Sequence, residues 1–139
     1  MPVMTPAMLE QFILDEFPQV NHLNCKIHSV DDENIEVSMI ASDRHLRPGG
    51  TVSGPAMMEL ADATMYFLLL AQIGPVALAV TTNLSINFLR KPAPGRIIAR
   101  GRILKLGKTL ATGDISLYSE GSDDPVAHVV TTYSIPPKR

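Results

Sequence analysis

The chain has 139 residues, enough for one domain with a packed core and too few for two independent ones. Apolar residues make up 45% and charged residues 19%, which excludes general disorder, while a net charge of −2, 5% aromatic residues and no Trp argue against a nucleic-acid partner. The lone Cys25 excludes a disulfide scaffold and fits a reducing, cytoplasmic setting, and Met1 to Met4 lack the basic start of a secretory signal.

Thr5-Pro6 reads as an N-cap followed by proline at the first helical position, and Leu9, Phe12, Ile13 and Phe17 fall on one face, predicting a helix over about 5–17. From Leu23 the pattern alternates through Cys25 and Ile27, turns at Asp31-Asp32-Glu33-Asn34, and resumes with Ile35, Val37 and Met39, which predicts a two-strand hairpin. A loop rich in Pro and Gly, His45 to Val52, leads into Ser53-Gly54-Pro55, where Ser53 suits a cap and Pro55 a first turn. The helix this starts, about 54–73, is apolar nearly all round.

The uncharged stretch from Ala63 to Leu89 is long enough to weigh as a membrane span, but Gly74-Pro75 interrupts it and strict alternation follows. It reads as a buried helix and then a strand, with no membrane partner. In that strand Val76, Leu78, Val80, Thr82, Leu84, Ile86 and Phe88 share one face and Thr81 falls on the other. Two further strands, about 96–106 and 109–119, flank Gly107-Lys108, a pair suited to a two-residue type II′ hairpin, and a last strand runs from Val126 to Ile135. A helix apolar on every side needs a sheet curved around it, so the expected architecture is α+β in one domain over 1–139, with an antiparallel sheet wrapped around the central helix.

Glu59 and Asp62 are the anomaly in that helix. Three residues apart, they share one face, and an ionised carboxylate there needs a wet cleft, an interface or nearby donors. One reading has both satisfied at a subunit interface or at the helix rim; the other makes Asp62 a general base or nucleophile. At the helix start Gly54 offers backbone N–H to a developing negative charge. Eight residues of helix separate the two by roughly 12 Å, too far for both to reach one carbonyl group. A dimer in which one subunit's Asp62 meets the other's Gly54 resolves this.

The segment from His45 to Asp62, with Gly54 and Asp62 in register, and Asn83-Leu84-Ser85-Ile86-Asn87-Phe88-Leu89-Arg90 together resemble the PaaI-like branch of the hotdog-fold acyl-CoA thioesterases. The similarity covers about Asp31 to Ile135 in element order. It implies a hotdog fold, a homodimer or homotetramer with sites at the dimer interface, and an acyl-CoA substrate. By the same resemblance Asp62 is the catalytic carboxylate, the Gly54 N–H polarises the thioester carbonyl, and Thr81 helps position water or the reacting carboxylate.

Two departures stand out. The family usually reads His-Gly-Gly where this chain has Ser53-Gly54-Pro55, and often has Asn where Arg47 stands. Pro55 has no N–H to give, Ser53 is either an N-cap or a substrate contact, and Arg47 has no acceptor for orienting water, so it is expected to pair with Asp62 or to contact substrate.

The run from Arg90 to Lys108 holds Arg90, Lys91, Arg96, Arg100, Arg102, Lys105 and Lys108 and no acid. Some of these cations are candidates for coenzyme A phosphates, Arg90 and Lys91 first, against the plainer reading of a solvated face. Met57, Met58, Met65, Tyr66 and Phe67 are candidates for an acyl pocket against a default of core packing; Met58 is retained as a substrate contact. The histidines His22, His28, His45 and His128 show no metal-like spacing, and there is no Gly-x-Ser-x-Gly elbow or Walker loop, so neither metal nor cofactor is expected. The leading expectation is a thioester hydrolase. Its rivals are a non-catalytic acyl-CoA or lipid-binding module and a hotdog hydratase, the latter disfavoured because no His follows Asp62 in the helix.

Overall fold

The structure, a computed structural model, describes residues 2–137. Helix α1 (Pro6–Glu16) starts where Thr5 accepts from the Met8 N–H at 3.2 Å, and it buries Leu9 and Ile13. The chain does not become extended at Leu23. Pro18–Leu23 forms a 3-10 helix with Val20 and Leu23 buried, Asn24 takes the left-handed conformation (φ 50°), and β1 (Lys26–Val30) begins only after Cys25. The spacing of Leu23, Cys25 and Ile27 mimics a strand because a buried helix end happens to precede one.

The turn between β1 and β2 (Asn34–Ile40) is held by Asp31, whose carboxylate accepts from the Glu33 and Asn34 N–H groups at 2.9 and 2.7 Å. These bonds hold the Asp31 carboxyl below the usual aspartate range. Helix α2 (Gly54–Ile73) begins at Ser53, whose hydroxyl accepts from the Ala56 N–H at 3.2 Å, and stops at Gly74 (φ 96°), just before Pro75. Then come β3 (Val80–Phe88), β4 (Arg96–Leu106), β5 (Leu110–Ser119) and β6 (Pro125–Ser134). The hairpin between β4 and β5 turns one residue later than expected. Gly107 N–H donates to Leu110 O at 2.8 Å, leaving Lys108 and Thr109 as the loop, and Gly107 does not take the positive φ that a type II′ turn needs.

The strands form one antiparallel sheet in the order β1-β2-β4-β5-β6-β3. It curves around α2, which touches β2, β3, β4, β5 and β6. Close approach is possible because Gly113 carries no side chain: a Cβ there would stand 2.6 Å from Met65 Sδ and 2.8 Å from Arg102 O. By length and hydropathy α2 resembles a membrane span, yet 72% of its most apolar stretch is buried inside the protein. Between Gly54 at its start and Gln72 and Ile73 at its end, only the stripe Pro55, Met58, Glu59 and Asp62 is left partly open, at the i, i+3, i+4, i+7 spacing of one helix face.

Strand β3 lies at the sheet edge and is mostly exposed, with Val80 at 56% and Phe88 at 51%. A bulge shifts its register between Thr81 and Asn83. It reverses which side chains face the helix: Ala79 is buried and Thr81 meets α2 before the bulge, and Leu84, Ile86 and Phe88 turn inward after it. Unbroken alternation would have left Thr81 facing away.

Candidate active site

Asp62 is fixed by two hydroxyls from the sheet. Thr81 Oγ1 donates to its Oδ1 at 2.6 Å, and the Tyr133 hydroxyl lies 2.9 Å from the same oxygen and 3.0 Å from the Asp62 carbonyl. Burial first, and then the charge of Asp62, push the Tyr133 hydroxyl well above the ordinary tyrosine range, so it stays protonated and donates. Among the described residues no donor is placed on Oδ2. The carboxylate is thus held by one oxygen and presents the other.

It opens into a cavity of about 290 Å³ lined by the aromatic rings of Phe17, Tyr66 and Tyr133 and by Ala77, Ala79 and Val80, with Glu16 at its side. Phe17 meets Tyr66 edge-on at 5.7 Å, and the Tyr66 hydroxyl donates to Ala77 O at 3.0 Å. The arrangement offers a carboxylate beside a mostly apolar space large enough for a small acyl group. No histidine is among the residues that line it.

Gly54 belongs to a different cavity, of about 510 Å³, lined by Arg47, Thr51, Val52, Met57, Phe88, Leu89, Arg90, Lys91 and Pro92. At this helix end Ser53 Oγ takes the Ala56 N–H, Ser53 O takes the Met57 N–H at 3.1 Å, and Pro55 has none. Among the described residues no acceptor is placed for the Gly54 N–H. One unpaired donor on the helix axis, with Arg47, Arg90 and Lys91 around it, suits an oxygen acceptor that carries or develops negative charge. Arg90 donates to Pro125 O at 2.7 Å, which fixes its guanidinium at the rim.

The remaining candidates divide. Ser53 is an N-cap. Met58 is 41% exposed on the open stripe of α2 and lines neither cavity, whereas its buried neighbour Met57 lines the Gly54 cavity. Within the protomer Arg47 stands with Gly54, and the partners of Asp62 are Thr81 and Tyr133, so the expected Arg47–Asp62 pair does not form in one chain. The basic run also splits: Arg96 pairs with Glu120 and Arg100 with Glu36 while stacking on Tyr118, both as exposed ion pairs, and Arg102 pairs with the half-buried Asp114.

The sequence reading missed Tyr133 altogether. Alternation in β6 puts it on the concave face with Val129 and Thr131, but nothing in the pattern says that it meets a helix residue 71 positions earlier. Glu59 stands out in the sequence, but its partner does not. That partner is His22, whose Nε2 lies 2.6 Å from Glu59 Oε2.

Comparison with known proteins bears on this geometry. The thioesterase superfamily model matches residues 49–126, a span holding Gly54, Asp62, Thr81 and Arg90. The chain belongs to the thioesterase superfamily. A solved structure of a proposed thioesterase from Silicibacter sp. TM1040 is 47% identical, with 99% of this chain and 95% of that one covered and a TM-score of 0.90. This superfamily member is also similar to a proposed esterase of Thermoplasma acidophilum, at 25% identity over 89% of this chain and 91% of the relative. The E. coli PaaI protein, 18% identical, covers 95% of this chain and 94% of its own with a TM-score of 0.78, which supports the fold alone. The hotdog architecture of the PaaI-like group is therefore the architecture of this superfamily member.

Proposed function

We propose that this thioesterase-superfamily protein hydrolyses an acyl-CoA thioester at a site completed by two protomers. The observation that carries the reading is the split on α2: a carboxylate held by Thr81 and Tyr133 opens into one cavity, and an unpaired Gly54 N–H opens into another. Their separation of roughly 12 Å along one helix is too great for a single carbonyl group. A second copy turned about a two-fold axis brings its Asp62 to the first copy's Gly54. The open edge of β3, with Val80 and Phe88 exposed, supports pairing between copies along that edge.

In this arrangement the thioester carbonyl accepts from the Gly54 N–H, which stabilises the oxyanion as it forms. The partner's Asp62 either takes a proton from the attacking water or attacks the carbonyl itself; both routes use Oδ2, with Oδ1 held by two donors. Arg47, Arg90 and Lys91 are the cations available to the phosphates of coenzyme A. Phe17, Tyr66 and Tyr133 surround the acyl end.

The test is release of free coenzyme A from short, medium, long and aromatic acyl-CoAs by the wild type and Asp62→Asn, with Cys25→Ser as the control for thiol reagents. Cleavage by the wild type, reduced about a hundredfold or more in the Asn variant with its secondary structure kept, is the expected result. Binding of acyl-CoA without release would favour the binding-module reading, which the lost N–H of Pro55 and the presence of Arg47 make the main competitor.

A further inference from the structure

Outside the two cavities, the chain brings together a polar cluster that the proposed chemistry leaves unused: Ser42, His45, His22 and Glu59. The Ser42 backbone N–H lies 2.9 Å from His45 Nδ1. An N–H can only donate, so Nδ1 is the bare nitrogen of His45 and its proton is on Nε2. That proton points to His22 Nδ1 at 3.1 Å, which makes Nδ1 the acceptor there and leaves the His22 proton on Nε2, facing the Glu59 carboxylate at 2.6 Å. One assignment of protons satisfies every link. The rings stack with centroids 5.3 Å apart, and His45 is buried at 3% exposure.

The cluster closes on itself through the backbone. His45 O accepts from the Ser53 N–H at 2.7 Å, and Ser53 is the cap from which α2 starts. Glu59 lies on α2, five residues beyond Gly54. The circuit therefore runs from α2 through Glu59, His22 and His45 to Ser53 and back into α2, and Gly54 sits inside it. The loop from Leu46 to Val52, which carries Arg47, hangs on the same anchor, drawn in by the Leu46–Val52 bridge and the Arg47 N–H to Thr51 O bond of 2.9 Å.

We propose that His22 and His45 are positioning residues that aim the Gly54 N–H and hold the Arg47 loop, by tying the start of α2 to its own Glu59. Neither ring lines a cavity, so neither touches substrate. The proposal rests on the reading of Gly54 as the carbonyl donor. It also makes the device sensitive to acid. A proton added to His45 Nδ1 faces the Ser42 N–H and opens the circuit. The charged groups facing the pair are Glu59 from α2 and Arg44 beside His45. Burial, and then the neighbouring His22, hold His45 below the ordinary histidine range, which keeps its Nδ1 bare at neutral pH.

The experiment uses the full chain and reads two things in His22→Ala and, as the milder change, Glu59→Gln: exchange by NMR at the hydrogen-bonded amides of Leu46, Arg47, Gly50 and Ser53, and steady-state acyl-CoA cleavage. In His22→Ala, exchange at these amides is expected to rise about tenfold while the sheet is unchanged, and kcat to fall about tenfold with KM within about twofold, because a donor displaced by a fraction of an ångström loses transition-state contact first. Glu59→Gln shifts both in the same direction by less. Lowering the pH speeds exchange at Ser53 in the wild type beyond its intrinsic pH dependence, and that response is absent in His22→Ala. Unchanged exchange in His22→Ala overturns the proposal, as does faster exchange with unchanged kcat. A wild type that cleaves no acyl-CoA overturns the hydrolase reading instead, and the exchange result alone then decides whether the clamp exists.

Discussion

The two cavities on α2 share a helix and differ in almost everything else. Around Gly54 the chemistry is backbone and cation: one N–H on the helix axis, with Arg47, Arg90 and Lys91. Around Asp62 it is a carboxylate pinned by two hydroxyls among aromatic rings. In the proposed reaction each half lacks what the other supplies, since a carbonyl donor without a base and a base without a carbonyl donor both fall short of hydrolysis. A helix of 20 residues carries both because it is a rigid ruler that keeps them apart within one protomer.

The largest effect comes from separating the halves genetically. Gly54→Val forces a side chain towards the Phe88 ring, already 3.2 Å from where a Cβ would stand, and blocks one half; Asp62→Asn disables the other. Each alone is inactive, and co-refolding equal amounts is expected to restore about a quarter of wild-type activity, because half of the dimers are mixed and each mixed dimer has one intact site. No restoration would place both halves of the chemistry in one protomer.

Next in size, Tyr133→Phe removes one of the two donors to Asp62 Oδ1 and is expected to lower kcat about tenfold, as does Thr81→Val. Their combination should depart from additivity because they share one oxygen. Steady-state kinetics on the four proteins reads this directly. On the Gly54 side, Arg47→Gln and Lys91→Gln are each expected to raise KM about threefold, with kcat held and the effect shrinking as salt increases. A drop in kcat alone would move either residue from coenzyme binding to the reacting carbonyl.

The smallest effect lies in a residue that belongs to neither half. Burial, and then the charge of Glu59, push the Cys25 thiol up to about 12. The raised value means less thiolate, on the order of one molecule in ten thousand at pH 8, so alkylation by iodoacetamide is expected to be slow in the folded protein and to rise steeply on unfolding. Rapid labelling of the native chain would show Cys25 open to solvent and put the packing of α1 over the start of β1 in question.

Much of this was written in local pattern. The caps at Thr5 and Ser53, the stop at Gly74-Pro75 and the alternation of β2, β4, β5 and β6 are short-range effects, and each is found where backbone chemistry places it. The Asp62 carboxylate and the Gly54 N–H were legible too, because a charge in an apolar helix and a glycine at its start both stand out. What failed was periodicity at element borders. A 3-10 helix ending in buried Leu23 passed for strand, and alternation through Thr82 hid the bulge that turns Thr81 towards Asp62.

The sequence by itself determined a central helix too apolar to stand alone, a sheet that must curve around it, and the two polar groups that stand out on that helix, the Asp62 carboxylate and the Gly54 N–H. Tertiary structure alone decided what holds those groups. Tyr133 reaches Asp62 across 71 residues, and His22 reaches Glu59 across 37, because the wrapped sheet and the segment before β1 close over the same helix. Such contacts depend on the paths of whole elements and on one bulge in β3, and hydrogen bonds formed at that range leave no periodic trace in the chain that makes them.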